Sequence, residues 1–227
     1  MDDQPRNPPT TGLGGRSLKP LPTVLLERRA TGRFKPDPVP PELLDTVLRL
    51  GLQAPSGYNL QPWRFIVVQD AANRQRLMKA AFNQPKIGQA PVVLIAVGMK
   101  EEWRARADEV FQEGAKRGAG KPENVAAYQQ QALGFLSTKP MDVWVNRHTM
   151  IAFTALMLVA EAYGLDTAPM EGFDAAAVKA EFGLPEESEV VALLAIGIAD
   201  GPDKPYTGRF ELPRVVYAEK YGQPWPG

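Results

Sequence analysis

The sequence has no cysteine and a single histidine, His148, in 227 residues. Without thiolates it can form no disulfide framework, no Cys-ligated zinc or iron–sulfur site and no cysteine nucleophile. A Ser-His-Asp arrangement would have to be built on His148 or not at all. An excess of one charge is missing too, since 26 Lys and Arg stand against 26 Asp and Glu. That balance argues against a nucleic-acid binder, which shows a basic excess, and leaves room for a local basic pocket. The longest uncharged apolar run, Thr149 to Ala160, falls short of the ~18 residues of a membrane span. The opening MDDQPRNPPTTG lacks the basic and apolar regions of a signal peptide. A soluble cytoplasmic protein that binds neither nucleic acid nor membrane is expected, with no metal site.

What is present is enough for a sizeable core, with 44% hydrophobic residues. Residues 1–22 are rich in Pro, Gly and Thr and have no apolar period, so they read as a flexible N-terminal tail. Order is expected from Thr23, and residues 23–227 as one domain. Pro40-Pro41-Glu42 opens a helix that presents Leu43, Leu44, Val47 and Leu48 on one face and stops before Pro55. The β-branched and aromatic run Arg64 to Gln69 reads as a strand, and Asp70 as the N-cap of a helix reaching about Phe82. Pro91 to Gly98 and Glu189 to Ile198 read as buried strands. Helices are expected near 101–117, 122–136 and 174–182. A further helix over 142–163 is apolar or small on every side, so it must be enclosed by a large domain or a second subunit. Strands scattered among helices indicate an α+β layered fold.

Two glycine clusters fail as phosphate loops. Gly12 to Gly15 follows no strand. In Gly114 to Lys121 the first glycine of GxxxxGK falls on Ala115, and Pro122 replaces the Ser/Thr that must follow the lysine. Ala54-Pro-Ser-Gly-Tyr-Asn-Leu-Gln-Pro-Trp63 is more informative: a turn between helix and strand that carries two side-chain amides, each both donor and acceptor. Such a loop suits a planar heterocycle whose edge alternates C=O and N–H, and it is also the composition of an ordinary Asx-type turn. Glu27 to Phe34 contains Arg28, Arg29 and Arg33 beside Gly32, which reads as a solvated basic helix end or an anion site.

ERRATGRF, then PVPPELLDTVLRLGLQAPSGYNLQPWRFIVVQD, APMEGF at 168–173 and ELPRVVY at 211–217 occur in the order and spacing of the nitroreductase-like FMN-dependent NAD(P)H oxidoreductases, which the chain resembles over about residues 23–218. The resemblance implies an α+β layered fold, a central mostly antiparallel sheet flanked by helices, in an intertwined homodimer with flavin at the subunit interface. It places Arg28 and Arg29 on the FMN phosphate and ribityl chain, with Ala30 where Ser is frequent. Ser56, Gly57 and Asn59 match the loop that touches the cofactor, Gln61 belongs to the same motif, Glu171 and Gly172 approach the flavin N5, and Arg214 returns to the phosphate. No side chain is assigned a catalytic role, because flavin N5 carries the chemistry.

Position 32, where the family often has a basic residue, is glycine, and Leu212 stands where another basic residue is frequent. Arg33 and Arg209 are the candidates to replace them. A cation missing at Gly32 predicts a more negative flavin potential. The resemblance implies hydride transfer from NADH or NADPH to FMN and then to a nitroaromatic, quinone or similar acceptor by a ping-pong route. The alternatives on the same scaffold are dehalogenation, flavin breakdown, ring oxidation or a non-catalytic flavin-binding protein. His148 reads as a core or interface histidine or a substrate contact, and Phe111, Tyr128, Phe135 and Trp144 as plain core aromatics or the lining of an aromatic substrate channel.

Overall fold

The computed structural model describes residues 8–202 and 204–226. Four strands, β1 (Trp63–Val68), β2 (Val92–Met99), β3 (Asp166–Met170) and β4 (Ser188–Gly197), form one sheet in the order β1-β2-β4-β3, antiparallel throughout. Every residue of β2 is buried, as its unbroken apolar run requires of a strand covered on both faces.

Side-chain alternation along β2 divides the core. Val93, Ile95 and Val97 face α3 (Ala71–Ala80), α4 (Pro85–Gln89) and α8 (Ala175–Phe182) through Leu77, Ile87 and Val178. Val92, Leu94 and Ala96 face α2 (Pro41–Gly51) and α7 (Met141–Ala162) through Val47, Phe153 and Leu156. Beyond this sandwich, α5 (Glu102–Lys116) and α6 (Val125–Ser137) form a separate cluster around Trp103, Phe111 and Leu136. The helix starts follow local chemistry: Asp70 accepts a bond from the Asn73 N–H, and Asp174 caps α8 through Ala176 and Ala177.

Several elements lie outside the sequence-based expectation, three of them in the body of the fold. The β3 segment contains Pro169, a residue that argues against a central strand; it is tolerated because β3 is an edge strand of the sheet. The helices α1 (Leu21–Glu27) and α4 are too short to show a period. α1 also leaves Leu25 and Leu26 exposed.

The expectation of a flexible tail over 1–22 meets a different finding in its described part, 8–22; residues 1–7 lie outside the described residues. The N–H groups of Leu13 and Lys19 donate to the carbonyls of Tyr163 and Ala162, and the Tyr163 hydroxyl donates to the Pro9 carbonyl. The last carbonyls of a helix have no partner within the helix, and this segment supplies partners at the end of α7. Gly12 is required there, since a Cβ would stand 2.4 Å from the Tyr163 carbonyl oxygen. Composition reveals side chains, whereas this contact is made by backbone.

The apolar α7 is enclosed on one side alone within a single chain. Val145, Thr149, Ala152, Phe153, Leu156 and Ala160 are buried, while Val143 and Ile151 are each 42% exposed on the outer stripe. By length and composition α7 would also suffice to cross a membrane, but its inner stripe is seated on β2, β4 and α2.

At the C-terminal end of α7, buried Glu161 accepts a 2.8 Å bond from the Lys19 ammonium, which also lies 3.5 Å from Glu27. The Glu161 hydrogen bond, then the charges of Glu161 and Glu27, hold the Lys19 pKa above its ordinary 10.5 against desolvation. A raised folded-state pKa contributes stability that is fully present below the unfolded value and lost as pH rises through the folded one. The stability difference between wild type and Lys19→Met in urea unfolding is therefore expected to be constant up to pH 10.5 and to shrink above it. A difference that persists unchanged at about pH 12 would show that the contact is not ionic.

Candidate functional site

The residues singled out in the sequence fall into two sets at opposite edges of the sheet. β1 and β3 are separated by β2 and β4, three strand spacings or about 14 Å.

At the β3 edge, the chain leaving α1 lies parallel to the strand. Ala30 bridges Thr167, and the Thr31 N–H donates to the Thr167 carbonyl at 3.0 Å. Arg28 Nη1 is buried with no hydrogen-bond partner, as are the Oγ1 atoms of Thr31 and Thr167. An unpaired buried donor costs about 1–3 kcal/mol, more when charged, so each of these three atoms, on the segment after α1 and on β3, is a candidate to receive an anionic oxygen. Arg29 points elsewhere: its Nη1 donates to the Leu26 and Arg28 carbonyls, and its guanidinium lies 4.7 Å from the centre of the Tyr206 ring.

Glu171 and Gly172 follow β3 directly and are exposed. Gln84 Nε2 donates to the Gly172 carbonyl at 2.6 Å, and a Cβ at Gly172 would come within 3.3 Å of that nitrogen. The Asp174 N–H donates to the Ala80 carbonyl, so this loop is tied at both ends to the α3–α4 turn. Phe82 and Asn83 in that turn hold left-handed backbone, φ 54 and 56, a conformation that clusters at functional sites. Two residues on, burial and then the charge of Lys204 lower the Lys86 pKa from its ordinary value. Gln84, Lys86 and Lys204 belong to no motif, and nothing in the sequence marked them.

At the β1 edge, residues 56–61 form a self-braced loop. Ser56 Oγ accepts from the Gln61 N–H at 3.0 Å, and Gln61 Nε2 donates to the Asn59 carbonyl at 3.2 Å. Tyr58, Asn59 and Gln61 all have positive φ, 54, 55 and 45, so the loop is held open at a cost of about 1–3 kcal/mol per residue. Gly57 rests on α7, where a Cβ would stand 3.2 Å from His148 Nε2 and 3.4 Å from the Trp144 ring. His148 Nδ1 lies 2.7 Å from the Trp144 carbonyl oxygen; a carbonyl only accepts, so Nδ1 carries the proton and Nε2 faces the loop. Tyr58 makes edge contacts with Tyr128 and Phe135. A cavity of about 370 Å³ opens beside Tyr58 and Asn59, bounded by Phe111, Lys121 and Tyr128. Phe111 and Tyr128 thus border the site as well as belonging to the packing of α5 and α6.

Arg214 lies in the short α9 (Leu212–Val215), exposed, with its guanidinium 4.4 Å from the Phe210 ring centre. Among the described residues no hydrogen bond, ion pair or ring contact joins it to Arg28 or Arg29. Arg209 lies over Tyr206, and Arg33 runs along Gly201. One chain therefore places unpartnered buried donors and a pinned backbone loop at β3, and a self-braced amide loop with an aromatic-walled cavity at β1.

The nitroreductase family profile matches residues 25–198. The chain belongs to the nitroreductase family. It is 38% identical over 194 residues to an NADH dehydrogenase of Thermus thermophilus, covering 86% of this chain and 93% of that protein. It is 32% identical over 179 residues to an oxygen-insensitive NAD(P)H nitroreductase of Salmonella typhimurium, covering 73% of this chain and 82% of that one. A protein from Exiguobacterium sibiricum, solved in complex with FMN, has the same fold, with a TM-score of 0.81 over 88% of this chain and 98% of that one at 22% identity. This nitroreductase fold is the α+β arrangement implied by the sequence motifs.

The unpaired Nη1 makes Arg28 the residue to test. A charge-assisted hydrogen bond contributes about 1.5–3 kcal/mol, so Arg28→Met is expected to weaken FMN binding at least about tenfold in a fluorescence titration. In the FMN-free protein the same substitution should leave urea stability unchanged or raised, because it removes a buried guanidinium nitrogen that has no hydrogen-bond partner. Wild-type affinity for FMN in this variant would place the phosphate elsewhere.

Proposed function

We propose that this member of the nitroreductase family is a cytoplasmic homodimer that reduces electron-poor acceptors, nitroaromatics or quinones, at the expense of NADH or NADPH. Its family makes it an FMN-dependent NAD(P)H oxidoreductase. The acceptor, the ping-pong order and the residue roles are the proposal. The observation that carries it is that buried polar atoms of Arg28, Thr31 and Thr167, on and next to β3, have no partner, while Gln84 pins the Gly172 backbone that follows the same strand.

In this reading Arg28 and the two hydroxyls bind the phosphate, and Ala30 leaves room for the ribityl chain. The Glu171–Gly172 backbone, fixed by Gln84, lines the reactive face. Ser56, Gly57 and Asn59 offer amide and backbone groups to the heterocycle edge, and Gln61 keeps that loop open. FMN when bound supplies the redox group that takes an electron pair from the nicotinamide and passes it to the acceptor. The chain orients both partners in turn at one face. The cavity beside Tyr58, with its aromatic walls, fits a planar acceptor.

The two sets lie at opposite edges of the sheet, so one chain leaves each incomplete. A second copy would cover the outer stripe of α7 and give each β3 cradle a partner loop 56–61. Exposed Tyr206, Phe210, Leu212, Val215 and Tyr221 in the C-terminal segment supply further apolar surface for that partner. Arg29 and Arg214 are proposed as phosphate contacts completed in the dimer.

The purified protein is expected to be yellow, to bleach with NADH or NADPH under anaerobic conditions within seconds, and to recover its colour with nitrofurazone or menadione. Colour without bleaching would make it a flavin-binding protein without turnover, and a colourless protein that refuses FMN would refute the assignment. Ile151→Asp, which puts a charge on the outer stripe of α7, is expected to convert a dimer to a monomer in sedimentation and to lower FMN retention. A dimer that survives it would place the interface elsewhere.

A further inference from the structure

Position 32 carries no side chain, and the space above it is taken by another residue. A Cβ on Gly32 would stand 3.5 Å from Lys204 Cε, an ordinary contact distance. Lys204 therefore lays its stem across the backbone just after the Arg28–Thr31 cradle. Its cavity, about 200 Å³, is lined by Thr31, Gly32, Arg33, Asp200 and Lys204 among others. Thr31 is 5% exposed and its hydroxyl has no partner.

Across from Lys204 stands Lys86, at the start of α4 and two residues from the Gln84 that pins Gly172. Lys204 is close enough for its charge to oppose protonation of Lys86, and burial acts in the same direction and more strongly. Among the described residues no carboxylate makes an ion pair with either amine. Two ammonium groups brought together without a counter-ion repel each other, and an anion between them reverses the sign of that interaction.

We propose that Lys204, reaching over Gly32 toward Lys86, supplies the positive charge that offsets the negative charge gained by the pyrimidine edge of the flavin on reduction. This rests on the FMN reading above. Two-electron reduction with uptake of one proton leaves one negative charge on the N1/O2 edge, and a cation beside it stabilises the reduced form relative to the oxidised one. Arg209 does not take this place, since it lies over Tyr206; Arg33 lines the same cavity with its guanidinium along Gly201, while Lys204 is the cation that crosses Gly32. On this proposal the more negative potential expected from Gly32 alone would be offset by a charge from the loop after β4.

The test compares wild type, Lys204→Met and Gly32→Lys/Lys204→Met, each measured for the affinity of the FMN-free protein for oxidised FMN and for the midpoint potential of bound FMN by dye equilibration. Lys204 is exposed, so Lys204→Met is expected to fold, and Met keeps the length of the stem. In Lys204→Met the affinity for oxidised FMN should stay within about twofold. The two-electron reduction equilibrium should fall about tenfold, a shift of about −30 mV, and the double variant should recover most of it. An unchanged potential in yellow Lys204→Met would overturn the proposal and leave the FMN assignment standing. A tenfold loss of affinity for oxidised FMN with unchanged potential would overturn it too, by assigning Lys204 to the phosphate, which is charged in both redox states. A wild-type protein that takes up no FMN would refute both readings at once.

Discussion

The packing of α7 against β2, β4 and α2 is the contact on which both halves of the site depend. Its buried stripe, Val145 to Ala160, covers one face of the central strands and contributes apolar burial at about 25 cal/mol per Å². Trp144 and His148, near its start, form the floor under Gly57, while its last carbonyls receive the segment that leads into α1 and Arg28. A 22-residue helix spans about 33 Å, so the loop at one end and the arginine segment at the other are held apart by a rigid rod. In the proposed dimer a second chain would bridge that separation by meeting the exposed outer stripe of the same rod.

Unpartnered buried polar atoms point to the β3 edge independently of any motif. Of the five such side-chain atoms among the described residues, three (Arg28 Nη1, Thr31 Oγ1 and Thr167 Oγ1) belong to β3 or to the segment that pairs with it. Orphaned donors scattered through a core would only lower stability. On the segment proposed to bind phosphate, such donors would lose their desolvation cost on meeting an oxyanion. The neutral net charge conceals this arrangement, because elsewhere basic side chains are paired with carboxylates, as in Arg64–Glu102 and Lys100–Asp142, while Lys86 and Lys204 form no such pair among the described residues.

Much of this was legible in the sequence, and the exceptions share a cause. The uniform runs of β2 and β4, the Asp70 cap and the long apolar helix are local patterns with a strong physical signal, and each marks its element. β3 was hidden by Pro169, which an edge position excuses. The segment 8–22 was hidden because it binds α7 through backbone N–H groups, to which composition is blind. At the site, APSGYNLQPW and APMEGF announced themselves by residue type. Their placement at opposite edges follows from strand order, which no motif encodes. Gln84, Lys86 and Lys204 act through positions reached only after folding, on a turn, a five-residue helix and a loop without a signature.

The loop at 56–61 shows why so much strain is tolerated in a stable fold. Tyr58, Asn59 and Gln61 would each relax out of left-handed backbone if the loop were free. The Ser56–Gln61 bond, the bond from the Met99 N–H to the Pro62 carbonyl at 2.7 Å, and the contact of Gly57 with His148 and Trp144 prevent it. A loop already ordered in the protein adds little ordering entropy to the cost of binding, so the strain is met once, on folding, by the α7 packing. The C-terminal segment is the opposite case. Tyr206, Phe210 and Tyr221 are exposed there without a core to bury them, and its single ring contact with the domain runs through Arg29 and Tyr206 among the described residues. The rigid half of the site is therefore internal to the chain. The half that carries Arg214 would be buried by association under the proposed function, which would couple phosphate binding to dimer formation.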